Sequence, residues 1–109
     1  MEEYYRGDTF IFPFELQDED ENKLQFEIGN KVILGVKKNI SDKEYALYRE
    51  IVIEENLDEI QIKFQPEETK KLDICKYIVE LQLEHNNLTD TIYQDFIVVK
   101  GDVINDSNS

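Results

Sequence analysis

Asp18, Asp20 and Asn22 have the spacing of metal ligands. They reproduce the D-x-D-x-N opening of a calcium loop, in which alternate oxygens surround a hard cation. The pattern then breaks: the sixth position, where such a loop needs Gly, is Lys23, and the twelfth, where a bidentate Glu closes the shell, is Gly29. The stretch Asp18-Glu19-Asp20-Glu21-Asn22 therefore reads as a solvated hairpin turn, and no metal is assigned. Cys75 is the single thiol and His85 the single imidazole. A thiol nucleophile needs a base beside it. His85 stands next to Asn86 in a polar turn, while Cys75 precedes an apolar run, so the cysteine reads as a core or half-buried thiol. Paired carboxylates do acid–base work only where a cleft separates their environments, and the acids here come in surface-type runs such as Glu54-Glu55 and Glu67-Glu68. There is no phosphate-binding loop, no dinucleotide fingerprint and no His or Cys pair at metal spacing. The expectation is a non-enzymatic protein with no catalytic residue and no cofactor.

What remains is chemistry of contact. Among 109 residues, 25 Asp and Glu oppose 12 Lys and Arg, a net charge of −13. Such a field repels phosphate backbones and anionic lipid, which argues against direct nucleic-acid or membrane-surface binding and leaves a basic protein as a fitting partner. The charge is uneven: residues 1 to 28 carry net −7, residues 29 to 49 net +3, and residues 50 to 109 net −9. A basic middle, with Lys31, Lys37, Lys38, Lys43 and Arg49, is satisfied if its strands lie beside acidic ones, and it reads as a solvated sheet face rather than a dedicated basic site. Tyrosine buries area at low entropic cost, so Tyr4, Tyr5, Tyr45, Tyr48 and Tyr93 are candidate partner contacts. The acids Asp18, Glu19, Asp20 and Glu21 are the candidates for a basic partner. No run of eighteen apolar residues occurs, and Met1-Glu2-Glu3-Tyr4-Tyr5 lacks the basic and apolar regions of a signal peptide, so a cytoplasmic site of action is expected.

The elements that must position these residues are strands. Phe10, Phe12, Phe14 and Leu16 fall at period two and share one face of an extended chain, with Pro13 restricting that strand to an edge or to an outward-facing amide position. Leu24, Phe26 and Ile28 resume the alternation; Val32, Leu34 and Val36 share a face, with Gly35 on the other, where a neighbour can approach closely. A strand is expected within 45 to 54, another at Ile60, Ile62 and Phe64, then a short helical turn from Pro66 to Leu72 with Pro early and acids ahead of bases. Tyr77, Val79, Leu81 and Leu83 alternate strongly, the chain turns at His85-Asn86-Asn87, and it returns through Thr91 to Lys100. In that return Ile92, Phe96 and Val98 are assigned to the core face, and Tyr93, Ile97 and Val99 to the other. Seven to eight strands, turns every eight to twelve residues and no βαβ rhythm predict an all-β, antiparallel Ig-like sandwich. It is read as one domain over 1 to 103, with a flexible polar tail from 104 to 109.

Several segments taken together carry a family resemblance: Arg6-Gly7-Asp8-Thr9-Phe10, Leu16-x-Asp18-x-Asp20, Phe64-Gln65-Pro66-Glu67-Glu68-Thr69, Tyr77-Ile78-Val79-Glu80-Leu81-Gln82-Leu83, and Phe96-x-Val98-x-Lys100-Gly101-Asp102-Val103. From about Arg6 to Val103 the chain resembles the small Ig-like domains of tailed bacteriophages, in particular the amino-terminal domain of upper baseplate proteins. It departs from them at Glu21-Asn22, where the family has an Asp-Gly turn, and at Cys75, where it has Gly. The resemblance implies a structural or accessory role by protein contact with tail or baseplate subunits or further copies of itself, in the host bacterial cytoplasm or in the virion. A different class of function is a small acidic inhibitor that occupies the nucleic-acid channel of a host defence protein, carboxylates standing in for phosphates. A carbohydrate-binding module is disfavoured by the absence of Trp.

Overall fold

Period-two alternation builds eight strands and one helical turn: β1 (Glu2–Tyr5), β2 (Phe10–Gln17), β3 (Lys23–Leu24), β4 (Lys31–Lys37), β5 (Leu47–Val52), β6 (Glu59–Phe64), α1 (Pro66–Thr69), β7 (Lys76–His85) and β8 (Leu88–Lys100). The structure, a computed structural model, describes residues 2–101; the tail expected over 104 to 109 lies outside them, as do Asp102 and Val103 of the closing motif. The strands form a five-stranded sheet, β1-β8-β7-β4-β5, and a three-stranded sheet, β3-β2-β6. The run β8-β7-β4-β5 has the G-F-C-C′ order of an immunoglobulin sheet, and β2 beside β6 has the B-E order of its partner. All pairings are antiparallel except β1 on β8, which is parallel, with Tyr4 opposite Val99 and Tyr5 opposite Lys100.

Phe10, Phe12 and Phe14 of β2 face Val32, Leu34 and Val36 of β4 and Tyr77, Val79 and Leu81 of β7 across one hydrophobic layer that also takes Ile60, Ile62 and Phe64. Each fully buried side chain of this size stabilises the fold by about 1.5–3 kcal/mol relative to exposure. Tyr77 anchors the start of β7: its ring is buried and its hydroxyl accepts the Asp73 backbone N–H at 2.8 Å, the corner that ties this strand to the preceding loop in Ig-like folds. Buried Thr69 accepts the Gly7 N–H at 3.2 Å and donates to the Asp8 carbonyl at 2.7 Å, pinning α1 to the β1–β2 loop. Asn86 and Asn87 both adopt positive φ (49° and 64°), the pair that a two-residue hairpin requires. Pro13 lies opposite Gln61 of β6, and among the described residues no strand pairs with the other edge of β2 between Phe10 and Glu15.

Three expectations need correction, and one strand is new. Phe96 and Val98 do not enter the core: Phe96 is 42% exposed and Val98 half-buried, while Ile97 and Val99 are buried. The cause is a bulge. Leu81 pairs with Tyr93 and Gln82 with Thr91, leaving Ile92 as an extra residue that resets the alternation, so its inward lean does not extend to Phe96. The alternation at Leu24, Phe26 and Ile28 buries Phe26 alone, through an isolated bridge to Leu57; Leu24 and Ile28 are exposed and β3 shrinks to two residues. The helical turn ends at Thr69, short of Leu72. The amino-terminal strand β1 was not foreseen; its short acidic sequence has too little alternation to signal one.

Candidate interaction surface

The outer face of the five-stranded sheet follows from register. Since the buried residues of β4, β7 and β8 point inward, their cross-strand neighbours at the intervening positions point out together. One row is Lys37, Ile78 and Phe96; the next is Tyr48, Gly35, Glu80 and Gln94; on the other side lie Lys76, Val98 and Glu3, then Lys100 and Tyr5. An apolar and aromatic band thus crosses the sheet from Tyr48 through Ile78 and Phe96 to Tyr5. Tyr48, Phe96 and Tyr5 are exposed there, and among the described residues no second sheet lies over them.

Gly35 sets the local geometry at one end. With no side chain it lets the Tyr45 ring lie on the sheet, where that ring packs at 5.0 Å on Tyr48 and beneath the Lys37 ammonium at 4.5 Å. Lys37 also donates to the Asp42 carbonyl at 2.6 Å. Beside this group is a hollow of about 90 Å³, lined by Gly35, Lys37, Ile40, Tyr45, Ile78 and Glu80. Sites for small organic ligands run to about 300 Å³ and more, so the hollow has room for one inserted side chain rather than a cofactor. At the other end the Lys76 ammonium sits 4.2 Å from the centre of the Phe96 ring.

The charges of this face differ from those of the chain. Lys31, Lys37, Lys76 and Lys100 balance Glu3, Glu50, Glu80 and Glu84, net zero on a protein of −13. Lys31 pairs with Glu50, Lys100 with Glu3 at 2.9 Å, and Glu80 accepts from Gln82 at 2.8 Å and Gln94 at 3.0 Å. The basic middle of the sequence is thus spread over partners: Lys38 pairs with Asp73, and Arg49 turns to the inner side, forked onto Glu68 at 2.8 and 2.7 Å with its plane 4.6 Å from the Phe64 ring.

Of the residues singled out in the sequence, Tyr5, Tyr45 and Tyr48 lie on this face. Tyr4 points inward and packs on Phe10 and Phe12 at 4.8 and 5.2 Å, with its hydroxyl donating to Glu2 at 2.6 Å; burial, reinforced by the Glu2 carboxylate, raises its pKa. Tyr93 packs on Phe14 at 5.2 Å. Asp18, Glu19, Asp20 and Glu21 form the exposed β2–β3 turn, and β3 lies by Leu83 and His85, the opposite end of β7 from Ile78. The structure does not bring the acidic turn and the tyrosines together. Asp18 is spent locally: its Oδ1 accepts the N–H groups of Asp20 and Asn22, both at 2.9 Å, and its Oδ2 the Asn22 amide. Those bonds, the Asn22 N–H foremost, hold its carboxyl below the usual range. Cys75 and His85 flank opposite ends of β7, about 30 Å apart for a ten-residue strand. Phe96 and Val98 are members of the face that sequence reasoning put in the core, because the bulge at Ile92 carries no signature of its own; Ile78 was read on the outer side of its strand, but its place beside Phe96 comes from the register between β7 and β8.

Among the described residues no group of three or more His, Cys, Asp or Glu side chains is placed to hold a metal ion, and no helix is long and apolar enough to cross a membrane. The chain matches no known family model, no curated protein and no solved structure.

Proposed function

We propose that the protein is a non-enzymatic binding module that works by protein contact through the outer face of its five-stranded sheet. The observation that carries this reading is a charge-balanced aromatic face on a chain of net charge −13. Exposed aromatic rings on a rigid sheet, with Lys37 and Lys76 already stacked on two of them and Lys100 paired with Glu3, lose little solvation and little entropy when covered. The resemblance to baseplate Ig-like domains sets this contact in a bacteriophage tail or baseplate, as a structural or accessory module in the host cytoplasm or the virion.

A photo-crosslinking residue placed at Phe96, and for comparison at Glu55 in an acidic turn, tests the reading in phage-infected cells that make the protein. Adducts with tail or baseplate proteins from position 96 and none from position 55 are expected. Adducts from position 55 alone, with a basic host protein, would overturn it in favour of the acidic inhibitor.

A further inference from the structure

We propose that the hollow beside Gly35 is the specificity pocket of the outer face: it takes one leucine-sized aliphatic side chain from the protein partner, while an Asp or Glu of the same segment sits on Lys76. The inference rests on the reading of that face as the contact surface and names what the face selects.

The first argument is position. Ile78 lines the hollow and lies between Lys37 and Phe96 in the register of the sheet, so the hollow opens at the middle of the apolar band. The side chains that dominate an interface are those that fill pockets near its centre. Gly35 makes the space, because its bare Cα lets the Tyr45 ring settle on the sheet as one wall, with Ile40 and Ile78 as others. The second argument is size. An apolar cavity of about 150 Å³ holds benzene, roughly 25 Å³ per carbon. The hollow of about 90 Å³ therefore takes three to four carbons, which admits Val, Leu or Ile and excludes an aromatic ring. The third is charge. The two charged walls are already satisfied: Lys37 donates to the Asp42 carbonyl and lies on the Tyr45 ring, and Glu80 accepts from Gln82 and Gln94. They are one cation and one anion, so an uncharged occupant meets no net charge and a charged one is repelled by one wall. Lys76 differs. Its ammonium rests on the Phe96 ring, and among the described residues no carboxylate lies within ion-pair distance of it. It stands two residues from Ile78 on the same face of β7, about 7 Å along the strand. An extended segment lying along β7 thus needs its aliphatic side chain and its carboxylate two residues apart. The net charge of −13 does not forbid an acid there, since salt screens exposed charges beyond about 8–10 Å and the nearest charge is the Lys76 ammonium itself.

Selection of a displayed library of random heptapeptides on the immobilised protein tests the proposal, with I40W, I40A and K76E selected in parallel. Ile40 is 66% exposed and Lys76 lies on the outer side, and a melting curve beside each variant establishes that it is folded. The parent protein should enrich, at least tenfold, peptides that carry Val, Leu or Ile two residues from Asp or Glu. I40W, whose ring fills the hollow, should lose them. I40A, which removes three carbons from the wall, should accept Phe in place of the aliphatic residue, and K76E should exchange the acid of the selected peptides for Lys or Arg. No enrichment, aromatic or purely basic peptides on the parent, or a consensus that I40W and K76E leave unchanged would overturn the proposal. In each case adducts with tail proteins from position 96 in infected cells would leave the contact face standing without this pocket, whereas loss of those adducts would remove the underlying reading as well.

Discussion

The ring of Tyr45 lies directly on Gly35: a Cβ added to Gly35 would stand 2.6 Å from Tyr45 Cδ1, well inside contact distance. This one approach seats the Tyr45–Tyr48 pair on the sheet and gives the Lys37 ammonium its aromatic partner.

Gly35→Ala must therefore push the Tyr45 ring outward. Because the obstacle is an exposed side chain, the stability cost should stay within about 1 kcal/mol, at the low end of overpacking penalties. The readout is proton chemical shift: the Gly35 α-protons should show an upfield ring-current displacement that vanishes in Tyr45→Ala, and the Tyr45 ring resonances should move in Gly35→Ala. Unmoved Tyr45 resonances would contradict the geometry.

The two faces of β8 give a second test. Ile97 is 3% exposed and Phe96 42%. Ile97→Ala should cost about 2–5 kcal/mol in urea unfolding. Phe96→Ala, which gives up an exposed ring and one contact with Lys76, should cost less than about 1 kcal/mol. The reverse order would mean that the bulge at Ile92 is misplaced and that the alternation runs unbroken through β8.

That bulge marks the limit of what the sequence discloses. The strands of the core were legible because a buried face imposes period two without interruption, as in Phe10-x-Phe12-x-Phe14 and Tyr77-x-Val79-x-Leu81. Phe96 and Ile97 were assigned to the wrong faces because β8 is apolar on both sides, and the extra residue that decides between them leaves no mark in composition. The tyrosines were legible as contact residues in general, but their type does not tell inward from outward. Tyr4 goes to the core and Tyr5 to the surface by the parity of a strand that only pairing with β8 defines. The band across the sheet is a product of register between strands far apart in the chain, and no local pattern carries it.

Acid should loosen the closure between β5 and α1. The Arg49 guanidinium, followed by the Gln65 N–H, holds the Glu68 carboxyl at about 2, against an ordinary value of 4.5. A depressed carboxyl contributes stability that is fully present above the unfolded value and is lost as pH falls through the folded one. The contribution should therefore be complete at pH 5 and fade between about pH 4.5 and 2. The pair is one-third exposed and screened, so the effect at neutral pH should be no more than about 1 kcal/mol. Urea unfolding at pH 7, 4 and 2.5 should show a shallower acid decline in Glu68→Gln than in the parent, with a residual slope from Asp18 and Asp73, whose carboxyls are also held low. Equal slopes would remove the Arg49–Glu68 fork from the account.

If the protein makes its contacts through the outer face of the five-stranded sheet, photo-crosslinking residues placed one at a time at Tyr48, Ile78 and Phe96 on that face, and at Glu19 in the acidic turn and Ile11 on the open edge of β2, test it most directly in phage-infected cells. Adducts should form from Tyr48, Ile78 and Phe96 and not from Glu19 or Ile11. Adducts confined to Glu19 or Ile11 would contradict it.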